Sequence, residues 1–138
     1  MIVGRKAVDK TPLRKILLAD DEPDVLEISR IALESVGGYE VAACSSGQEL
    51  LERLADFEPD LIIIDVVMPD MAGLEVLQAL RQVNGHAATP VVFLTGVIHG
   101  GELAALRGSG AVDIILKPFN PMTLAARLKE IWGALDGQ

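Results

Sequence analysis

The chain is poor in the residues that staple a fold, ligate soft metals or grip nucleic acid. Its single cysteine, Cys44, cannot form an internal disulfide, which fits a reducing compartment. The two histidines, His86 and His99, have no cysteine or second histidine beside them and read as solvated loop residues, which weighs against zinc. The longest apolar runs are strand-length, far short of the roughly 20 residues of a membrane span. The start of the chain carries basic residues but no apolar leader segment. A soluble, cytoplasmic protein with no membrane contact is expected.

Basic residues are scarce as well. Twelve Lys and Arg stand against twenty Asp and Glu, a formal net charge of −8. Arg5, Lys6, Lys10, Arg14 and Lys15 take five of the twelve before the first predicted strand. With Asp9 also in that segment, the remainder holds seven basic and nineteen acidic residues. Binding to a phosphate backbone needs clustered Lys and Arg, so no nucleic-acid partner is expected. Residues 1–14 read as a basic, flexible tail and residues 15–138 as one domain.

Apolar residues, in contrast, make up 50% of the 138 residues, enough for a full core without disulfides or metals. They fall into a repeating order. Leu61-Ile62-Ile63-Ile64-Asp65, bounded by Pro59 and Pro69, reads as a strand buried on both faces, the kind found inside parallel sheets. Asp65 at its carboxyl end is either a ligand-site residue or an acid that caps a turn, and this strand alone does not separate the two. Ile16 to Ala19, Tyr39 to Ala43, Val91 to Thr95 and Val112 to Leu116 are the other predicted strands. Helices are predicted from Pro23 to the Gly37-Gly38 stop, from Ser45-Ser46-Gly47 to about Phe57, from after Gly73 to about Val83, over Glu102 to Arg107, and from Asn120-Pro121 onward. Alternating strands and helices give a parallel sheet wrapped on both faces.

Polar groups then sit at the carboxyl ends of four strands: Asp20 and Asp21, Asp65, Thr95 and Lys117. In a parallel sheet those ends share one rim. Three carboxylates at one rim repel each other, and a divalent cation resolves the repulsion. Oxygen donors, few in number and with room for water and a phosphate oxygen, suit Mg²⁺. Lys117 adds a point charge and Thr95 a hydroxyl, both suited to phosphoryl oxygens. The set describes phosphoryl transfer to a carboxylate, either in a hydrolase with turnover or in an acceptor that keeps the phosphate. An Asp-based phosphatase of the haloacid-dehalogenase type needs a second Asp two residues past the nucleophile, where this chain has Val67. That weighs against the enzyme.

The elements Ile16-Leu17-Leu18-Ala19-Asp20-Asp21-Glu22, Asp65-Val66-Val67-Met68-Pro69-Asp70-Met71-Ala72-Gly73, Leu94-Thr95-Gly96, Gly110-Ala111 and Leu116-Lys117-Pro118-Phe119 together resemble a receiver domain of two-component response regulators, single-domain chemotaxis-type regulators among them. The resemblance runs from Lys15 to Leu135. It implies a flavodoxin-like, doubly wound α/β fold with a five-stranded parallel sheet in the order 2-1-3-4-5. It implies that Asp65 is phosphorylated by a sensor histidine kinase or a histidine phosphotransfer protein. Mg²⁺ would be held by Asp20, Asp21, Asp65 and the backbone carbonyl of Val67, with Lys117 and Thr95 as catalytic partners on the phosphoryl oxygens. The Lys117-Pro118 bond would be cis. The chain would catalyse only its own phosphorylation and dephosphorylation, and would act on an unknown downstream protein at the face of the fourth helix, fifth strand and fifth helix. A receiver cut from a longer hybrid kinase or regulator is the alternative.

The sequence departs from the pattern at Ile114. Receivers usually carry Tyr or Phe there, three residues before the active-site lysine, as a switch partner of Thr95. Ala72, where the family often has Asp, is a lesser change. Met68 and Met71 read as packing residues, and Trp132 as a half-buried residue of the last helix.

Overall fold

The computed structural model describes residues 11–96 and 100–135. Leu61–Asp65 is buried at all five positions, as a run of β-branched residues between two prolines requires. In chain order the elements are β1 (Lys15–Ala19), α1 (Pro23–Ser35), β2 (Glu40–Cys44), α2 (Gly47–Phe57), β3 (Leu61–Asp65), α3 (Gly73–Leu80), β4 (Val91–Thr95), α4 (Gly100–Arg107), β5 (Asp113–Leu116) and α5 (Pro121–Leu135). The five strands are parallel, in the order β2-β1-β3-β4-β5. This is the flavodoxin-like order 2-1-3-4-5, with helices on both faces.

The period-two alternation of β3 divides the core. Ile62 and Ile64 point to one side, where they join Leu17, Phe93, Leu50 and Leu54 of α2, and Val76, Leu77 and Leu80 of α3. Leu61 and Ile63 point to the other, joining Ile16, Leu18, Val92, Leu94, Leu33 of α1, and Leu124 and Leu128 of α5. The sheet is thus packed on both faces, and its strand ends deliver the polar side chains from between the two clusters.

Residues 11–14 are docked rather than loose. Leu13 is buried, the Asp60 carboxylate accepts from the N–H groups of Arg14 and Lys15 at 3.0 and 2.9 Å, and Trp132 Nε1 donates to the Thr11 carbonyl at 2.9 Å. The rest of the expected tail, residues 1–10, lies outside the described residues.

α3 stops at Leu80, short of the expected Val83. Arg81 Nη1 donates to the carbonyls of His86 and Thr89, at 3.2 and 2.6 Å, and draws the chain back into a turn. That turn buries His86, whose Nδ1 lies 2.8 Å from Thr89 Oγ1. The expectation of a solvated histidine at 86 is therefore corrected: its ring is a structural part of the α3–β4 connection. His99 lies outside the described residues.

Candidate functional site

Four strand ends meet at the carboxyl rim of the sheet. β1 ends at Ala19 and hands Asp20 and Asp21 to the rim, β3 ends on Asp65, β4 on Thr95, and β5 is followed directly by Lys117. β1, β3 and β4 are adjacent in the sheet, and β5 lies beside β4. Residues up to 97 positions apart in sequence therefore become neighbours. Asp20, Asp65 and Thr95 are buried, whereas Asp21 is exposed. One carboxylate oxygen from each of Asp20, Asp21 and Asp65 lies within 4.8 Å of the others.

Lys117 Nζ sits among acids: 2.8 Å from Asp20 Oδ2, 2.8 Å from Glu22 Oε1 and 3.2 Å from Asp65 Oδ2. The Lys117–Pro118 peptide bond is cis. Backbone groups orient the acids further. The Glu22 N–H donates to Asp20 Oδ1 at 2.9 Å, and the Val67 N–H points to Asp65 Oδ1 at a long 3.4 Å. The first contact shows that Asp20 also serves the local turn into α1, a role short acids fill readily.

These surroundings work on the charges. Burial, followed by the charge of Asp20, pushes the Asp65 carboxyl up to about 6, against the pull of Lys117. Burial would lower the Lys117 pKa, but its close contacts with the carboxylates of Asp20 and Glu22 and the charge of Asp65 outweigh it and hold the ammonium well above its usual value. Its neighbours therefore favour the cationic form of Lys117.

The arrangement fits a divalent cation. Buried Asp20 Oδ2 touches the ammonium of Lys117 but makes no aligned hydrogen bond, so one acceptor of a dry carboxylate is left without a directional partner. Three carboxylates face one lysine, an excess of negative charge. All donors are hard oxygens, the set that suits Mg²⁺ and not a soft metal. Asp20, Asp21, Asp65 and the Val67 carbonyl are the groups that could hold it.

Residues 16–129 match the response regulator receiver domain family. The chain belongs to that family. This receiver is 37% identical over 114 residues to the transcriptional regulatory protein KdpE of Mycobacterium tuberculosis, covering 83% of the chain and 49% of KdpE. It is 36% identical over 118 residues to the alkaline phosphatase synthesis transcriptional regulatory protein PhoP of Bacillus subtilis, covering 86% of the chain and 48% of PhoP. The receiver thus spans about half the length of these curated relatives. Among solved structures, the chemotaxis response regulator CheY4 of Vibrio cholerae superposes with a TM-score of 0.78 at 32% identity, covering 86% of the receiver and 98% of CheY4. A response regulator from Chloroflexus aurantiacus gives 0.78 at 32% identity, covering 89% and 99%.

The structure brings Asp20, Asp21, Asp65 and Lys117 of the receiver into one cluster and sets Thr95 on the same rim. Ile114 lies one strand over, half-buried, paired with Phe93 in register and packed against the cluster beneath α2 and α3. Two residues at the site were not singled out in the sequence. Glu22 shares Lys117 with the aspartates across 95 positions, a pairing that no local pattern announces. Asp70, in the loop after β3, accepts from the N–H groups of Gly47 and Gln48 at 3.0 and 2.9 Å.

Proposed function

We propose that this receiver takes a phosphoryl group onto Asp65 from the phosphohistidine of a sensor histidine kinase or histidine phosphotransfer protein, with Mg²⁺ as the required ion. The observation that carries the proposal is the meeting of Asp20, Asp21 and Asp65 with Lys117 at one end of the sheet. In the transfer, an Asp65 oxygen forms a bond to phosphorus as the bond from phosphorus to the donor imidazole nitrogen breaks. The product is an acyl phosphate, and the imidazole keeps the nitrogen electron pair.

Lys117 supplies a fixed positive charge close to the oxygens that become more negative, without having to reorganise when the reaction occurs. Thr95, at the end of β4, is the hydroxyl that bonds the phosphate once formed. Asp20, Asp21, Asp65 and the Val67 carbonyl would hold the ion, which when bound would neutralise charge on the transferring phosphoryl oxygens. The chain catalyses only its own phosphorylation and the later hydrolysis of the acyl phosphate. The phosphatase alternative is disfavoured by the side chain two residues past Asp65, which is a solvent-facing Val67 and cannot act as an acid.

Phosphate adds charge and acceptor oxygens, and whichever conformation offers Thr95 and Lys117 to it gains population. The downstream protein then reads the face formed by α4, β5 and α5, where Ile114 stands in place of an aromatic switch residue. The relatives KdpE and PhoP are named as transcriptional regulators. For this acidic chain, output through protein contact is the reading the charge balance supports. Membership in a longer kinase or regulator is compatible with the same chemistry.

The test is incubation with a small phosphodonor, with Mg²⁺ or with a chelator, followed by intact mass. One added phosphate in the incubation with Mg²⁺, and none in the incubation with chelator or in Asp65→Asn, is the expected result. Equal labelling of the variant would overturn the assignment.

A further inference from the structure

The loop between β3 and α3 carries the Val67 carbonyl to the rim, and its anchoring is uneven. At its near end the Val66 N–H donates to Leu94 and the Val66 carbonyl accepts from the Gly73 N–H at 2.8 Å. Met68 is buried in the core. Val67 between them is 73% exposed, so its own side chain adds little packing to fix the plane of its peptide, and its N–H makes only the long contact to Asp65. The far part of the loop is held by Asp70, whose two carboxylate oxygens each accept one N–H from the first turn of α2. Those two bonds hold the Asp70 carboxyl below its usual range, as expected for an anion at a helix N-terminus.

Beside the clasp the fit is close. A Cβ on Gly47 would stand 2.7 Å from Val76 Cγ2 and 3.1 Å from Met71 Cβ, so the loop and α3 are pressed directly onto the first residue of α2. α2 also carries a capping box of its own. Ser46 Oγ accepts from the Glu49 N–H at 3.1 Å, and Glu49 accepts in return from the Ser45 N–H at 2.8 Å. Asp70 takes the two first-turn N–H groups that this box leaves free, those of Gly47 and Gln48, so one carboxylate both completes the cap and ties the loop to α2.

We infer that Asp70 is a positioning residue for the phosphorylation site: by clasping the loop to the N-terminus of α2 it holds the Val67 carbonyl ready for the cation, although Asp70 itself binds neither metal nor phosphate. This rests on the metal-dependent reading given above. Partners that orient metal ligands without touching the metal typically change affinity by about 10- to 100-fold when removed. Because this clasp acts through several backbone bonds, about tenfold is expected.

The experiment is calorimetric titration of Mg²⁺ into the full chain, with no phosphodonor, for wild type and for Asp70→Ala, Asp70→Asn and Gly47→Ala. Measurable binding by wild type tests the metal-dependent reading; the ranking of the variants tests the clasp. Asp70→Ala is expected to weaken binding about tenfold. Asp70→Asn keeps one acceptor oxygen and is expected to recover part of that loss. Gly47→Ala changes no charge but wedges the loop away from α2, and is expected to weaken binding several-fold. Thermal melts without Mg²⁺ show whether each variant is folded. If wild type binds and Asp70→Ala matches it within twofold, the inference fails. It fails too if Asp70→Ala and Asp70→Asn are weakened equally while Gly47→Ala binds as wild type, since a lost charge alone then accounts for the data.

Discussion

Lys117 faces three carboxylates at once, one of them the fully buried Asp20. Truncating it strands those charges, and breaking a buried pair from one side typically costs about 3 kcal/mol or more. Lys117→Ala is expected to lower the melting temperature of the metal-free protein markedly at pH 8 and less at pH 5, where the Asp65 carboxyl takes up a proton. Equal loss at both values would show that the lysine matters for packing and not for charge. Asp65 behaves in the opposite sense. Its pKa in the fold, about 6, lies above the ordinary 3.8, so the fold prefers the neutral acid. That contribution is fully present at pH values below the ordinary one and is lost as pH rises through about 6. Asp65→Asn removes the charge while Asp20 and Glu22 continue to hold Lys117. After discounting for water access, the metal-free variant is expected to be more stable at pH 7.5 by about 1 kcal/mol, and no more stable at pH 4. Denaturant melts at the two pH values measure this. Asp65, Asp20 and Lys117 were legible in the sequence because each follows an apolar run that could only be a strand. Glu22 and Asp70 were not, because their roles depend on partners brought near by the finished fold.

The elements differ in how much of them the sequence disclosed, and the reason is packing. β3 and β4 are buried on both faces, so their identity is written in consecutive aliphatic residues. β2 and β5 sit at the sheet edges and are displaced by one residue at the start from the expected ranges, Tyr39 and Val112 standing just outside. The early end of α3 was invisible because it is enforced by a side chain, Arg81, reaching carbonyls five and eight residues ahead. At the end of α2, Glu58 takes up a left-handed backbone with φ of 52°, the non-glycine case of positive φ among the described residues. Glycine adopts that conformation without the steric cost of a Cβ. Glu58→Gly is accordingly expected to stabilise the fold by about 0.5–1 kcal/mol despite the added freedom of the unfolded chain. A destabilised variant in urea melts would mean that the glutamate side chain makes a contribution larger than the strain.

At the scale of the whole molecule, the two core clusters pack both faces of the sheet and leave the acidic group of Asp20, Asp21 and Asp65 at one rim. Such a site couples ion binding to stability. An ion that binds the folded chain alone adds about 2.7 kcal/mol when free at a hundred times its dissociation constant. Mg²⁺ is therefore expected to raise the melting temperature of wild type in a concentration-dependent way, with a much smaller shift in Asp21→Ala, whose exposed carboxylate is one of the three oxygens grouped at the rim. An unchanged shift would remove Asp21 from the ion site. The central claim, that Asp65 is the group phosphorylated, has a more direct test. Borohydride reduces an acyl phosphate, converting the labelled aspartate to homoserine. Wild type treated with phosphodonor and Mg²⁺, then reduced and mapped by peptide mass spectrometry, is expected to carry homoserine at position 65 alone. Homoserine at another aspartate, with position 65 unchanged, would contradict it.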